Sequence, residues 1–490
     1  MTAIPLTIPS LRSAYAAGVP ASDVVNQVFA RIKEVGDPNI FLCLFDKADV
    51  LAAADALGAY DPEKPLWGVP FAIKDNIDAA GYPTTAACPA FAYEAAEDAF
   101  VVKQLKAAGA LLIGKTNLDQ FATGLVGVRT PYGAPLNSID PDIVPGGSSG
   151  GSGVAVGHGI VSFALGTDTA GSGRVPAALN NIVGLKPTLG SLSASGLVPA
   201  CRTLDTISVF ALTVEDSYAA FQCAAGYDEN DSFSKPVPTP ALTAWPGAAV
   251  LGIPDAGSIK FFGDTVQAES FSNTVEMLRA SGATIREIDF KPFYAVAEML
   301  YYGAWVAERY AVIEELLTRD PEAVFPVTQE IIGKGGDLSA ADAFRGIYRL
   351  RDLIREAEPL LAQADMLCVP TIPTFYSVAD LKADPITPNS NFGTYTNFVN
   401  LMDMCGIAVP APARGDGRPG SVTFLAPAGE DAKVAAMATV VEAEGERTLG
   451  ATGWDFVAPD LPAPDVGADR IEIAVCGAHL SGLPLNGDLT

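Results

Sequence analysis

The stretch PGGSSGGSGVAVGHGIVSFALGTDTAGSGRVP, from Pro145 to Pro176, decides the fold of this chain. It holds two clusters of glycine and serine with an apolar run between them. Glycine lets a backbone approach a ligand closely, and serine offers a hydroxyl. A flexible loop is one interpretation of GGSSGGSG taken alone. The apolar run instead indicates a buried helix and strand, which would hold the two clusters at a fixed separation.

Strands and helices alternate on both sides of this stretch. Apolar runs predict strands that begin at 69 and cover 110–113, 160–167, 248–253, 283–288 and 366–370. Helical periodicity covers 8–35 (with Ser22 as a candidate N-cap), 46–58, 265–280 and 293–317. The alternation predicts an α/β fold with a large mixed central sheet covered by helices on both faces.

The order of elements and the local composition divide the chain into three parts. Residues 1–456 are predicted to form one domain, with a helical region over about 1–60 and a long loop over 376–396. The proline-rich residues 457–468 are predicted to be a linker. Residues 469–490 begin with a strand that has no evident partner, so we expect the start of an incomplete C-terminal domain.

Composition excludes several classes of protein. The 490 residues are 49% hydrophobic and carry a formal net charge of −26. Such a charge repels phosphate backbones, so we expect no nucleic-acid partner. An anionic substrate would need a specific local cation.

The cysteines and the apolar stretches indicate where the chain works. Its seven cysteines lack CxxC spacing, which is typical of reduced thiols in the cytoplasm. We expect no signal peptide and no membrane span, because no charged leader or run of about 18 apolar residues is present.

Histidine is scarce. Only His158 and His479 occur, and most metal sites and Ser-His-Asp triads need histidine. We therefore expect neither a metal site nor a Ser-His-Asp triad.

Two motif matches are misleading. GALLIGKT, 109–116, fits a phosphate loop, but its middle residues read as a strand. GSSGG, 147–151, fits a hydrolase elbow with Ser149 as nucleophile, but no suitable histidine follows. His158 is interpreted as a packed core residue.

Lys74 is more informative, because it ends the apolar run VPFAI. Its side chain could extend to the surface. Burial could instead lower its pKa by about 3–4 units to about 7, and a neutral lysine can act as a general base. The turn GTDTAGSGR would then expose consecutive amides, as an oxyanion hole requires.

Four motifs resemble the amidase signature family of serine hydrolases: GVPFAIKDNID, PGGSSGGSGVAVGHG, FALGTDTAGSGRVPA and NIVGLKPT. The resemblance covers roughly residues 20–450. It implies a Ser–cis-Ser–Lys triad with Ser172 as nucleophile, Ser148 after a cis peptide bond and Lys74 as base. The implied oxyanion hole consists of the amides of Thr169, Ala170, Gly171 and Ser172.

An ion pair between Asp168 and Arg174 is expected to hold the nucleophile loop, with a direct role in substrate binding as the alternative. Ala170 and Gly173 depart from the commoner family pattern GTDTGGSIR. Together with TDTAGSGRVPA, VPACRTLDTISVFA and LYYGAWVAERY, they resemble the allophanate hydrolases of this family.

That resemblance implies that Tyr301 and Arg309 grip the carboxylate of allophanate, with Tyr302 as a rival to Tyr301. On one continuous helix the two positions would lie within about 80° of each other. A surface arginine is the other interpretation of Arg309. The resemblance also implies a homodimer and a reaction that needs no organic cofactor.

The resemblance implies hydrolysis of allophanate, and three other functions stay open. The chain could be a glutaminase subunit of a tRNA-dependent amidotransferase or a broad-specificity amidase. It could also be a binding protein on the same scaffold without turnover.

Overall fold

The computed structural model describes residues 3–444 and 447–464, except for the side chain of Tyr302. In the described residues, one mixed sheet of eleven strands forms the centre of the fold, and two further strands form a small pair.

The strands are short and mostly buried. Their bounds are β1 Phe41–Leu44, β2 Pro70–Lys74, β3 Pro83–Thr84, β4 Tyr93–Glu94, β5 Leu111–Thr116, β6 Phe163–Asp168, β7 Val183–Lys186, β8 Thr206–Ala211, β9 Val250–Pro254, β10 Thr284–Ile288, β11 Met366–Pro370, β12 Met404–Ala411 and β13 Gly420–Pro427.

The helices range from one turn to six turns. Their bounds are α1 Ile8–Ala16, α2 Ala21–Val35, α3 Lys47–Ala56, α4 Phe100–Ala107, α5 Gly150–Gly157, α6 Val175–Leu179, α7 Val214–Ala224, α8 Thr265–Ala280, α9 Lys291–Tyr302, α10 Trp305–Arg319, α11 Pro326–Gly333, α12 Ala340–Leu361, α13 Val378–Ala383, α14 Thr387–Phe392, α15 Asn397–Leu401 and α16 Asp431–Ala443.

The order of the strands places the ends of β2 and β6 side by side. The sheet runs β1-β5-β2-β6-β8-β7-β12-β13-β11-β9-β10. Strand β2 pairs in parallel with both β5 and β6. Since the carboxyl ends of neighbouring parallel strands share one edge, the residues that follow β2 and β6 meet there.

Apolar cores cover both faces of the sheet. Along β11, Met366 and Cys368 belong to one core, whereas Leu367 and Val369 belong to the other. Successive side chains of a strand point to opposite faces, so the two cores lie on opposite sides. Helices α2, α7 and α16 contribute to the first core, and α9, α12 and α15 contribute to the second. The predicted α/β class and two-sided covering are confirmed.

The apolar run between the glycine clusters forms the expected helix and strand. Helix α5 is buried along its whole length and leads into β6. Glycine is required at Gly151, because a Cβ there would lie 2.6 Å from the amide nitrogen of Asn117. The glycines of this cluster therefore serve close packing, and the flexible-loop interpretation is wrong.

Most predicted elements are present, including 46–58 as α3 and 265–280 as α8. The strand predicted at 110–113 extends to Thr116, so GALLIGKT contains β5 and is not a phosphate loop. The region about 1–60 is not purely helical, because β1 joins the sheet beside β5.

Three predicted segments differ from the structure. The helix over 8–35 is divided into α1 and α2 before Pro20, which lacks an amide hydrogen. Because α2 begins at Ala21, Ser22 is not its N-cap. The helix over 293–317 is divided by Gly303, whose backbone is extended. The loop over 376–396 contains α13 and α14 instead.

The domain boundaries stay predictions. Residues 457–464 contain no regular secondary structure, and 469–490 lie outside the described residues. Within the described part of the chain, no helix is long and apolar enough to cross a membrane.

Replacing Gly151 by alanine is expected to lower the free energy of unfolding by roughly 2–3 kcal/mol, because the methyl group would overpack against the backbone at Asn117. Denaturant unfolding measures this change. Gly150→Ala is the matched control, because a Cβ there would meet its nearest neighbour at 3.4 Å. Equal losses in the two variants would contradict the close packing of α5.

Candidate active site

Lys74 lies at the carboxyl end of β2 and is fully buried. Its Nζ is 2.7 Å from Ser148 Oγ and 2.7 Å from Thr167 Oγ1. Burial lowers the pKa of Lys74 to about 7, although Asp119, Asp205 and Asp168 oppose the shift. The amine can therefore lose its proton near neutral pH, which agrees with the buried alternative and not with extension of the side chain to the surface.

Ser148 connects this amine to a second serine. The Gly147–Ser148 peptide bond is cis, as expected from the resemblance. Ser148 Oγ and Ser172 Oγ are hydrogen-bonded at 2.8 Å, and both side chains are buried. Ser172 Oγ is also 3.5 Å from the carbonyl oxygen of Gly124. The three side chains form one hydrogen-bonded series from Lys74 to Ser172.

Ser149, the nucleophile of the rejected elbow motif, has a different role. Its hydroxyl donates to the carbonyl of Thr167 and accepts from the amide of the same residue, both at 3.2 Å. The side chain therefore ties the start of α5 to β6. His158 follows the end of α5 and is half-buried, so it is less enclosed than a core residue.

Asp168 and Arg174 form the predicted ion pair. The guanidinium donates two hydrogen bonds of 2.9 Å to the carboxylate, and both side chains are fully buried. Burial alone would raise the pKa of Asp168, but Arg174 and Lys186 hold it below its usual range. Bidentate pairing of this kind fixes geometry as well as charge.

The same carboxylate shapes the nucleophile loop. Its two oxygens accept the amides of Gly171 and Gly173, each at 3.0 Å. Gly171 adopts a φ of 130°, and a Cβ there would collide with the side chain of Thr396. Because its amide is engaged by Asp168, Gly171 does not fit the predicted oxyanion hole. The amides of Thr169, Ala170 and Ser172 donate to no other described residue.

Asp205 supports the loop from the other side. Its carboxylate accepts a hydrogen bond from Thr169 Oγ1 and further bonds from the amides of Ala200 and Cys201. Burial raises the pKa of Asp205 to about 6. Asn400 donates to the carbonyl of Asp168 at 2.8 Å and adds a further restraint.

Tyr301 and Arg309 meet across a helix break rather than on one helical face. Tyr301 lies in the last turn of α9, and Arg309 lies in the second turn of α10. The guanidinium carbon of Arg309 is 5.4 Å from the centre of the Tyr301 ring. The two helices are joined at Gly303, so the angular argument from one continuous helix was wrong although the two residues are neighbours.

Arg309 is buried, with only 1% of its surface exposed, so it is not a surface arginine. One of its nitrogens, Nη1, donates to Thr123 Oγ1 at 3.2 Å. Its Nε and Nη2, and the hydroxyl of Tyr301, have no hydrogen-bond partner among the described residues. A buried cation with unused donors is suited to holding an anion. The side chain of Tyr302 is outside the described part, so the choice between the two tyrosines stays a prediction.

Thr123 and Gly124 join the two halves of the site. Thr123 accepts from Arg309, and the next carbonyl, that of Gly124, faces Ser172 Oγ. Sequence reasoning missed both residues, as it missed Thr167 and Asp205. The available signal was only their position after predicted strands, because Thr123 and Gly124 soon follow β5 and Thr167 lies at the end of β6. The pairing of β5 with β2 that brings Thr123 and Gly124 to the site could not be predicted from either segment.

Two cavities border the site without reaching the serines. A cavity of about 260 Å³ is lined by Tyr301, Tyr294 and Lys260. A larger one, of about 750 Å³, is lined by Asp205 and Asn400. The first cavity reaches the wall of the Arg309 site through Tyr301, so it is the better candidate for the route of a small substrate.

A buried amine, two hydroxyls in series and a loop with unused amides define a class: serine hydrolases that use lysine instead of histidine. The family described as Amidase matches residues 23–435. The chain belongs to the amidase family.

Similar proteins fall into two groups. The urea amidolyase of Lachancea kluyveri is 46% identical over 435 residues, which is 86% of this chain and 24% of that protein. A glutamyl-tRNA(Gln) amidotransferase subunit of Lacticaseibacillus paracasei is 34% identical over 460 residues, which is 87% of this chain and 94% of that protein. The chain spans about a quarter of the length of the urea amidolyases that it matches.

The chain is also similar to solved structures. A Kluyveromyces lactis allophanate hydrolase aligns with a TM-score of 0.88 and 38% identity, covering 99% of this chain and 81% of that chain.

Proposed function

We propose that this chain hydrolyses allophanate (urea-1-carboxylate) through an acyl-enzyme on Ser172. The observation that carries the proposal is the buried Arg309 with unused donors beside Tyr301, connected through Thr123 and Gly124 to the serine. This arrangement suits a short substrate with a carboxylate at one end and an amide at the other. Similarity to the Kluyveromyces lactis allophanate hydrolase supports the choice of substrate.

Proton transfer along the buried series starts the reaction. Neutral Lys74 accepts the proton of Ser148, and Ser148 accepts the proton of Ser172. Ser172 Oγ then attacks the amide carbonyl of allophanate, and a tetrahedral oxyanion forms. Its charge is stabilised by the unused amides of Thr169, Ala170 and Ser172.

Collapse of that intermediate breaks the C–N bond. Ser148 returns a proton to the leaving nitrogen, so ammonia departs and an acyl-enzyme remains on Ser172. Water attacks the acyl carbon by the same proton route and releases the acid. The released N-carboxycarbamate takes up a proton and loses one carbon dioxide to give carbamate. Carbamate then takes up a proton and breaks down to ammonia and a second carbon dioxide, and these steps are spontaneous or use a further domain.

Arg309 and Tyr301 bind the carboxylate. Because the rest of the chain is strongly acidic, with a net charge of −26, this local cation is what makes an anionic substrate acceptable. A homodimer and a role in urea or s-triazine nitrogen catabolism belong to the same proposal and rest on family resemblance. The proposed cytoplasmic location rests on the cysteine pattern.

A glutaminase subunit is the competing function, because the 34% identical relative is an amidotransferase subunit. An ammonia-release assay with allophanate, malonamate, glutamine and propionamide separates the candidates. Turnover of the first two without glutamine supports the proposal, whereas turnover of glutamine without allophanate would overturn it.

Replacing Ser172 by alanine is expected to lower kcat for allophanate by about 10⁴-fold or more without changing the thermal unfolding midpoint appreciably, because the nucleophile is lost. Ser149→Ala is the matched control and should retain most of the activity. If Ser149→Ala were inactive and Ser172→Ala active, the assignment of the nucleophile would be wrong.

Replacing Arg309 by glutamine should lower kcat/KM for allophanate by about 10²-fold or more, because a buried charge-assisted contact is lost. The value for propionamide, which has no carboxylate, should change by much less. Arg319→Gln removes an exposed arginine from the same helix and should leave both values unchanged. An equal loss with both substrates would make Arg309 a structural residue.

The pH dependence should identify the base. The value of kcat/KM is expected to fall about tenfold per pH unit below about 7, because protonated Lys74 cannot accept a proton. Asp205 raises the pKa of Lys74, so Asp205→Asn should move this acid limb to lower pH. Asp205 itself has a pKa of about 6. If the limb disappeared in Asp205→Asn, it would belong to Asp205 and not to Lys74.

A further inference from the structure

A second buried arginine lies beside the proposed carboxylate site. Arg129 follows β5 in the segment FATGLVGVRTPYG and is only 2% exposed. Its Nη1 donates to the carbonyl of Thr123 at 3.1 Å, and its Nη2 donates to the carbonyl of Pro385 at 2.8 Å. Its Nε has no partner among the described residues.

Thr123 brings the two guanidinium groups together. Arg309 donates to the hydroxyl of Thr123, and Arg129 donates to its carbonyl. All hydrogen bonds from the two guanidiniums to described residues end on neutral oxygens. Two guanidiniums are therefore buried around Thr123, and no carboxylate of residues 3–444 or 447–464 is paired directly with either.

The carboxylates that act on these arginines at longer range have other partners. Asp119 accepts the backbone amides of Val126, Gly127 and Arg129. Asp205 accepts hydrogen bonds from the hydroxyl of Thr169 and the amide of Ala200, and Glu308 accepts one from the hydroxyl of Thr203.

Burial lowers the pKa of Arg129, and Arg309 adds to the shift while Asp119 opposes it. A guanidinium nevertheless keeps its proton in proteins. Burial disfavours the charge of Arg309 as well, but Cys201, Tyr301 and Asp205 nearby raise its pKa overall. The two guanidiniums still repel each other in a region of low dielectric, and a bound anion relieves that repulsion.

We infer that Arg129 and Arg309 form one two-cation anion site around Thr123, and that Arg129 is a specificity-determining residue for amides that carry a carboxylate. The inference rests on the proposed function, because it requires the carboxylate to bind at Arg309. Arg129 strengthens binding through its charge and its unused Nε, and it holds the carbonyl of Thr123. A neutral amide gains nothing from that charge.

The test measures binding to the full chain in the Ser172→Ala background, which prevents turnover. Malonamate carries an amide and a carboxylate, and malonamide is its neutral counterpart. Adding Arg129→Gln should weaken malonamate binding in calorimetry by roughly tenfold or more, because a unit charge in a poorly screened site is removed. Malonamide binding should change by less than about threefold. Arg129→Lys should retain most of the affinity for malonamate, because it restores the charge.

Equal weakening for both ligands in Arg129→Gln, without rescue by Arg129→Lys, would overturn the inference and make Arg129 a purely structural residue. If Arg129→Gln does not fold, the pH dependence of malonamate binding to Arg129→Lys tests the inference on its own. A buried lysine loses its proton as pH rises, whereas arginine does not. Malonamate affinity of Arg129→Lys must then fall more steeply between about pH 7 and 10 than that of the Ser172→Ala parent. Parallel pH curves would contradict a role for the charge.

Arg309→Gln in the same background separates this inference from the proposed function. Selective loss of malonamate with Arg309→Gln, but not with Arg129→Gln, would leave the proposed function standing and remove Arg129 from the site. No selective loss with either variant would reject carboxylate binding here altogether.

Discussion

Burial of one amine is the constraint on which the rest of the structure depends. Lys74 can exchange a proton with Ser148 at neutral pH only if desolvation outweighs the attraction of nearby carboxylates. Three carboxylates act on it, but each of them also holds a different part of the site. Asp168 pairs with Arg174, Asp119 binds backbone amides, and Asp205 holds Thr169. The fold keeps the amine enclosed by ending β2 beside β6 and covering that edge with α5.

Much of this site could be predicted from the sequence because its parts are local. Each glycine-serine cluster adjoins the apolar run that forms α5 and β6, and Lys74 ends the apolar run that forms β2. Because β2 and β6 are neighbours in the sheet, their shared edge brings Lys74 and the two clusters together. Burial alone would not have identified the base. Lys115 and Lys186 are equally buried, but Lys115 pairs with Asp75 and Lys186 donates to backbone carbonyls. What distinguishes Lys74 is a serine hydroxyl as its partner, and only the family motif indicated that contact.

The errors arose where distant contacts decide a local structure. Helical periodicity runs through Gly303, yet the helix is divided there, and Tyr301 reaches Arg309 across the break. The amide of Gly171 was predicted to face the oxyanion, but the carboxylate three residues earlier binds it. Thr123 and Gly124 belong to the site only because β5 lies beside β2 in the sheet. The sequence of β5 alone, or of β2 alone, does not predict that pairing. Residues 376–396 form two short helices despite their loop-like composition.

The chemical difference between lysine and arginine explains how the site divides its charges. A general base must become neutral, and burial removes the proton of a lysine within the physiological range. An anion site must stay charged, and burial does not remove the proton of an arginine. The same buried environment therefore suits Lys74 to the proposed role of base, and Arg129 and Arg309 to the proposed role of cations. Exchanging the residue types would harm both functions: arginine at position 74 would hold its proton, and lysines around Thr123 would lose theirs progressively as the pH rises.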